Sequence, residues 1–258
     1  MPKYAANLTM MFNEVPFMQR FAAAAQAGFK GVEFLFPYEH DKHAIASELK
    51  QHGLENVLFN LPPGDWAGGE RGMAGLPGRE AEFRDSVALA LDYALTCGTQ
   101  RLHAMSGMVP AGLDRETCFQ TLASNLRYAA AQLAPHGITL LIEPINTRDM
   151  PGYLLNLQSE AHHLLKQVGA PNLQVQMDFY HAQIMEGDIA STFRQHQQHI
   201  AHVQIASVPA RHEPDEGELN YPWLFSLLDE LGYEGWVGCE YRPRAGTLEG
   251  LRWMQSAS

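Results

Sequence analysis

Short apolar runs alternate with longer stretches of helical periodicity along the whole chain. Runs rich in Val, Ile, Leu and Phe predict strands at Tyr4–Leu8, Gly31–Phe36, Leu54–Leu61, Gln100–Met105, Ile138–Ile142, Asn172–Met177, His202–Ala206 and Trp236–Glu240. Between them, apolar residues recurring every three to four positions predict helices. These span Phe17–Ala27, Lys42–His52, Arg79–Cys97, Arg115–Pro135, Gln158–Val168, Asp188–His196, Pro222–Leu231 and Leu248–Met254. Gly28 and Gly53 stop the first two. In the third, Phe83, Val87, Leu91 and Leu95 carry the apolar pattern. Strand and helix repeated eight times predict a parallel sheet with helical crossovers. An open doubly wound sheet rarely needs eight such units, whereas a (β/α)8 barrel uses them in about 250 residues. The chain has 258 residues, so one barrel domain over 1–258 is expected.

Against this apolar background, polar residues recur at the C-terminal ends of strands, where barrels carry their active sites. Glu143 follows ITLLI, Asp178 follows LQVQM, Gln204 sits inside HVQIA, and Glu240 follows WVGC. Side chains alternate faces along a strand. Asp178 therefore shares a face with Gln176 and Gln174, Gln204 with His202, and Glu240 with Gly238 and Trp236. That face would point into the barrel. Buried carboxylates need a partner or a metal, and three of them at one mouth repel one another. A divalent cation held by Glu143, Asp178, Gln204 and Glu240 is the simplest remedy. All four are hard oxygen donors, which suit Mg2+ best and also Mn2+.

Charge narrows the partners. The formal net charge is -11, with 18 Lys+Arg against 29 Asp+Glu and no basic run. Such a chain is a poor counterpart for nucleic-acid phosphates. The three cysteines show no CxxC spacing, so no disulfide framework or thiolate zinc site is indicated. No leader-like segment and no long apolar span is evident, so a cytoplasmic protein away from membranes is expected. A homo-oligomer is left open.

At GVEFLFPYE (Gly31–Glu39), NLPPGDWAGGERGMAGLPGRE (Asn60–Glu80), LIEPIN (Leu141–Asn146), QMDFYHAQIMEG (Gln176–Gly187), HVQIA (His202–Ala206), RHEP (Arg211–Pro214), GELNY (Gly217–Tyr221) and GWVGCEY (Gly235–Tyr241), the chain resembles the hydroxypyruvate isomerase family. That family lies within the xylose-isomerase-like TIM barrels, and the likeness is strongest to the bacterial 2-oxo-tetronate isomerases. The resemblance implies a carbohydrate-acid isomerase acting on a small hydroxy-oxo acid. It would interconvert 2-oxo-tetronate and 3-oxo-tetronate, with a metal at the four residues above and Glu143 and Glu240 moving protons. It also implies that His181, in the spacing Asp178-x-x-His181, contacts substrate. One departure stands out: the loop reads RHEPDEGELNY where relatives read EPGTGE, so the substrate-facing loop differs here.

Moving a carbonyl between adjacent carbons requires an acid and a base on either side of an enediolate, roles that two glutamates from distant strands suit. Arg211 is a candidate for the substrate carboxylate, because guanidinium binds carboxylates in bidentate fashion. Glu33, near the end of the second strand, is a candidate substrate contact. The glycine-rich loop Gly64–Gly78 lacks the GK[ST] of a phosphate loop and is a candidate lid. Helical histidines, His162 and His196 among them, are expected at the surface. Rival readings are a hydroxypyruvate isomerase, a ketose 3-epimerase using the same glutamates, an abasic-site endonuclease on the same fold, and a non-catalytic ligand-binding barrel.

Overall fold

The computed structural model describes residues 2–256; Met1, Ala257 and Ser258, at the ends of the expected domain, lie outside the described residues. The strands are β1 (Lys3–Asn7), β2 (Gly31–Phe34), β3 (Glu55–Asn60), β4 (Arg101–His103), β5 (Thr139–Ile142), β6 (Leu173–Asp178), β7 (Ile200–Ile205) and β8 (Trp236–Cys239). They pair in chain order, all parallel, and β8 closes onto β1. The helices are α1 (Phe17–Gln26), α2 (Lys42–His52), α3 (Glu80–Cys97), α4 (Arg115–Leu133), α5 (Gln158–Val168), α6 (Phe179–Met185), α7 (Ile189–His196), α8 (Tyr221–Glu230), α9 (Thr247–Gly250) and α10 (Arg252–Ser256). The expected (β/α)8 alternation is therefore present. Among the described residues no helix is long and apolar enough to cross a membrane.

Three expectations are corrected. The sixth unit holds two helices, because α6 starts at the residue after β6 with no loop between them. Asp178 ends the strand and caps the helix, its Oδ1 accepting from Tyr180 N at 2.8 Å. The buried face of α3 runs through Phe83, Val87, Ala90 and Ala94, while Leu95 is 55% exposed. Steps of four residues drift about 40° each around a helix of 3.6 residues per turn, so a strict four-residue ladder leaves the buried stripe. His162 is buried rather than at the surface. It shares the inner stripe of α5 with Gln158 and Ala161, and its ring stacks on His196 at 3.7 Å.

The interior of the barrel has two zones. Toward the strand N-termini, Ala5, Val57, Leu58, Leu141 and Trp236 form a small apolar cluster, separate from the large core that includes the helices. Gly31 makes room for it: a Cβ there would meet Trp236 Cζ3 at 2.6 Å. Further along the same strand faces stand Asn7, Glu33, Glu143, His202, Gln204 and Glu240, all buried. The loop Gly64–Gly78 is tied across the end of β4. Gly75 N donates to Ser106 O at 2.8 Å, Ala74 N to Met105 O at 3.3 Å, and Asn125 Nδ2 to Ala74 O at 2.9 Å.

Candidate active site

Four buried side chains converge at the C-terminal mouth. Glu143 is the first residue past β5, Asp178 the last of β6, His181 lies in the first turn of α6, and Glu240 is the first past β8. One donor atom from each lies within 4.8 Å of the other three. The cap at Asp178 explains the local arrangement. It starts α6 at once, so His181, three residues on, returns to the side of Asp178, with Nε2 3.5 Å from Asp178 Oδ2. Sequence reading separately proposed Glu143, Asp178, Glu240 and His181; the fold brings them together.

Burial raises the proton affinity of all three carboxyls. Glu143 is pushed well above the usual range, first by desolvation and then by the charges of Glu240 and Asp178. Glu240 is pushed up to about 8 by burial, which the Arg211 guanidinium opposes. Asp178 rises to about 6, again by burial, opposed by Arg211 and by the N–H groups of the α6 N-terminus. Glu143 Oε1 and Asp178 Oδ2 are buried without a hydrogen-bond partner. Three crowded carboxyls with unpartnered oxygens fit a hard divalent cation, so the cluster could hold a metal ion.

Arg211 comes from the loop between β7 and α8. It adopts a left-handed backbone with φ 56° and is tied by its own N–H to Ser207 O at 2.8 Å. Its Nη2 donates to Glu240 Oε2 at 2.6 Å, lies 3.8 Å from Asp178 Oδ2, and its guanidinium packs over Tyr180. The Glu213–Glu216 stretch of this loop is pinned from outside. Arg244 Nε meets the buried Glu213 at 3.1 Å, and its Nη atoms meet Asp215 and Glu216, each at 2.6 Å.

Both ring nitrogens of His181 have protein neighbours. Asn146 Oδ1 accepts from Asp149 N at 2.7 Å, so its Nδ2 is the group facing His181 Nδ1 at 2.6 Å. Nδ1 thus faces an amide donor, while Nε2 lies 3.5 Å from both Arg211 Nη2 and Asp178 Oδ2 and 3.9 Å from Glu143 Oε1. Burial and the nearby Arg211 hold the ring pKa well below its usual value, so it is neutral.

Gln204 and Glu33 belong to a polar layer adjoining the cluster. Gln204 is paired in register with Asp178 and Gly238. Its Oε1 accepts from Gln176 Nε2 at 2.6 Å and its Nε2 donates to Glu33 at 2.7 Å. Sequence reading passed over three members of this layer. Asn7 Nδ2 donates to Glu33 Oε1 at 2.9 Å and Glu240 Oε1 at 3.3 Å. His103 Nδ1 lies 3.2 Å from Asn60 Oδ1 and 3.7 Å from Glu143 Oε2, with burial pulling its pKa down to about 3. A lone polar residue at the end of each of β1, β3 and β4 was the available signal.

Known proteins share this fold. The xylose isomerase-like TIM barrel family matches residues 21–257. A 2-oxo-tetronate isomerase of Cupriavidus necator is 57% identical, over 99% of this chain and 98% of that protein. A hydroxypyruvate isomerase of Escherichia coli is 49% identical, over 98% of both chains. The crystal structure titled AP endonuclease, family 2, from Brucella melitensis superposes with a TM-score of 0.98 at 62% identity, covering 99% of each chain. A match across almost the whole chain, with full-length isomerases about half identical to it, makes this protein an isomerase that belongs to the xylose isomerase-like TIM barrel family.

Proposed function

We propose that the chain is a cation-assisted isomerase that interconverts 2-oxo-tetronate and 3-oxo-tetronate by proton transfer between adjacent carbons. The observation that carries this reading is the pairing of Glu143 and Glu240, two buried carboxyls of raised proton affinity in one cluster. A carboxyl raised toward neutrality takes up and returns a proton near working pH. One of the two removes a substrate proton and the other delivers one to the neighbouring carbon. Asp178, the Gln204 oxygen and the two glutamates would hold the cation, Mg2+ or Mn2+ by donor type. Such a cation supplies stabilisation of the negative charge that develops on the substrate oxygens.

The neighbours suit an acid substrate. Arg211 keeps a buried Nε–H without a partner, available to a carboxylate. His181 brings a ring of lowered proton affinity to the cluster, suited to a substrate oxygen without adding charge. Glu33 has both oxygens occupied by protein donors, which favours a supporting role over substrate contact. We take the substrate to be a small molecule rather than a nucleic acid or a membrane component, and the place of work to be the cytoplasm.

The choice of four-carbon acid follows the more similar of the two relatives named for substrates. Hydroxypyruvate lacks one hydroxymethylene, a difference worth about 1–3 kcal/mol in a pocket, or roughly 10–200-fold in kcat/KM. The decisive experiment is solvent-deuterium incorporation with both acids, with Mn2+ or Mg2+ present and then chelated. Cation-dependent exchange next to the carbonyl, faster with 2-oxo-tetronate, is expected. Exchange only with hydroxypyruvate would reassign the substrate, and no exchange with either would remove the isomerase mechanism. The name carried by the Brucella structure raises a nuclease reading, which the net charge of -11 opposes. A salt-sensitive shift of abasic-site duplex DNA would revive it.

A further inference from the structure

Glu33 lies 1% exposed on β2, with its carboxylate contacts supplied by the adjacent β1 and, across the barrel interior, by β7. Oε1 accepts from Asn7 Nδ2 at 2.9 Å and Gln204 Nε2 at 2.7 Å, and Oε2 accepts from His202 Nε2 at 2.7 Å. The fold makes room for this reach. Gly238, in register with Gln204, has no side chain, and a Cβ there would run into the Glu33 carboxylate. A buried carboxyl group with three donors and a dedicated gap is a built feature of the barrel.

Its consequence falls on Gln204. The oxygen and nitrogen of a primary amide are nearly the same size, so shape alone does not choose between the two flips. Only the oxygen binds a cation. A carboxylate accepts and cannot donate, so Glu33 takes the Nε2 end and the reversed flip would set two oxygens against each other. Gln204 Oε1 then faces away from Glu33, where Gln176 Nε2 occupies one of its two lone-pair directions. The other remains for a ligand.

We propose that Glu33 is a positioning residue whose carboxylate selects the flip of the Gln204 amide that presents oxygen to a divalent cation. This rests on the reading above in which Gln204 joins Glu143, Asp178 and Glu240 around that cation. Partners that orient metal ligands are worth about 10–100-fold in metal affinity. The Glu33→Gln side chain has nearly the same shape but donates and accepts equally, so it removes the preference.

The test is a Mn2+ titration followed by electron paramagnetic resonance on four proteins: the wild type, Glu33→Gln, Gln204→Glu and the double variant. Glu33→Gln should weaken Mn2+ binding about 10–100-fold when residue 204 is Gln. The loss should vanish or reverse with Gln204→Glu, because a carboxylate presents oxygen whichever way it turns. Glu33→Asp, which keeps the acceptor, should stay closer to the wild type, and it stands in if Glu33→Gln fails to fold. Saturating Mn2+ should restore turnover to Glu33→Gln, whereas a lost substrate contact would leave a raised KM. An equal loss in both residue-204 backgrounds, or none in either, would overturn the proposal. If the wild type itself binds no Mn2+, the cation reading fails along with it. A wild type that binds Mn2+ and turns over normally, beside an unaffected Glu33→Gln, sinks the positioning role alone.

Discussion

The two ends of the barrel interior are built from the same strand faces and obey opposite rules. Trp236 and Leu141 lie in the apolar floor; Glu240 and Glu143 lie further along the same faces in the polar mouth. Burial of the floor removes apolar surface from water and stabilises the fold. Burial of the mouth does the reverse, since desolvation is the first cause of the raised pKa at Glu143, Asp178 and Glu240. The mouth offsets this in part with protein hydrogen bonds. Asn7, His202 and Gln204 surround Glu33, and Asn146 holds His181. It leaves Glu143 Oε1 and Asp178 Oδ2 unpartnered. The contrast teaches that stability and chemistry are separated along the strand axis, so substitutions should separate them too.

The sharpest break is expected in the mouth. Glu143→Gln or Glu240→Gln should lower kcat by about 10²–10⁴-fold, the usual worth of a general acid or base. Neither should lower the melting temperature, because each replaces a desolvated acid with an amide. Near-normal turnover in both variants would remove them from the proton path.

The floor should show the mirror image. Trp236→Ala should cost about 3–5 kcal/mol in urea unfolding, from lost burial and the cavity left behind. The fraction that stays folded should keep its turnover number. Loss of turnover in fully folded protein would mean that floor and mouth are not separable.

A third expectation concerns pH in the metal-free protein. Glu240 and Asp178 have folded pKa values raised to about 8 and about 6. Their stabilising contribution is therefore complete below the unfolded values and is lost as pH rises through about 6 and then about 8. Mn2+ competes with those protons, so its thermal stabilisation should grow from about pH 5 to about pH 8.5. A Mn2+-induced shift independent of pH would place the cation elsewhere.

The smallest effect belongs to the rim. Arg211→Lys keeps the charge but loses the planar fork, and should raise KM for the acid substrate about tenfold with little change in kcat. An unchanged KM would assign the substrate carboxylate to another group.

Much of this was legible in one dimension. Eight alternations of β-type and helical pattern specify a barrel because each period dictates which face is apolar. The parity of Gln176 with Asp178 and of Trp236 with Glu240 predicted which side chains face inward. Other features were not legible, for physical reasons. The helix α6 begins on the last residue of a strand, so no turn signal separates them. His103, Asn60 and Asn7 are single polar residues at the ends of three strands, and nothing local says that the barrel closes them onto Glu143 and Glu33. Glu33 resembled a substrate contact until the donors on β1 and β7 stood around it.

The sequence by itself determined the eightfold strand–helix alternation and the chemical types of Glu143, Asp178, Gln204 and Glu240 at strand ends, because periodicity and side-chain chemistry are local. Only the tertiary structure decided which oxygen meets which donor: that Gln204 turns its Nε2 to Glu33, and that Arg211 reaches Glu240 from the β7–α8 loop. The Arg211–Glu240 and Gln204–Glu33 contacts join residues 29 and 171 positions apart, brought together by closure of the sheet.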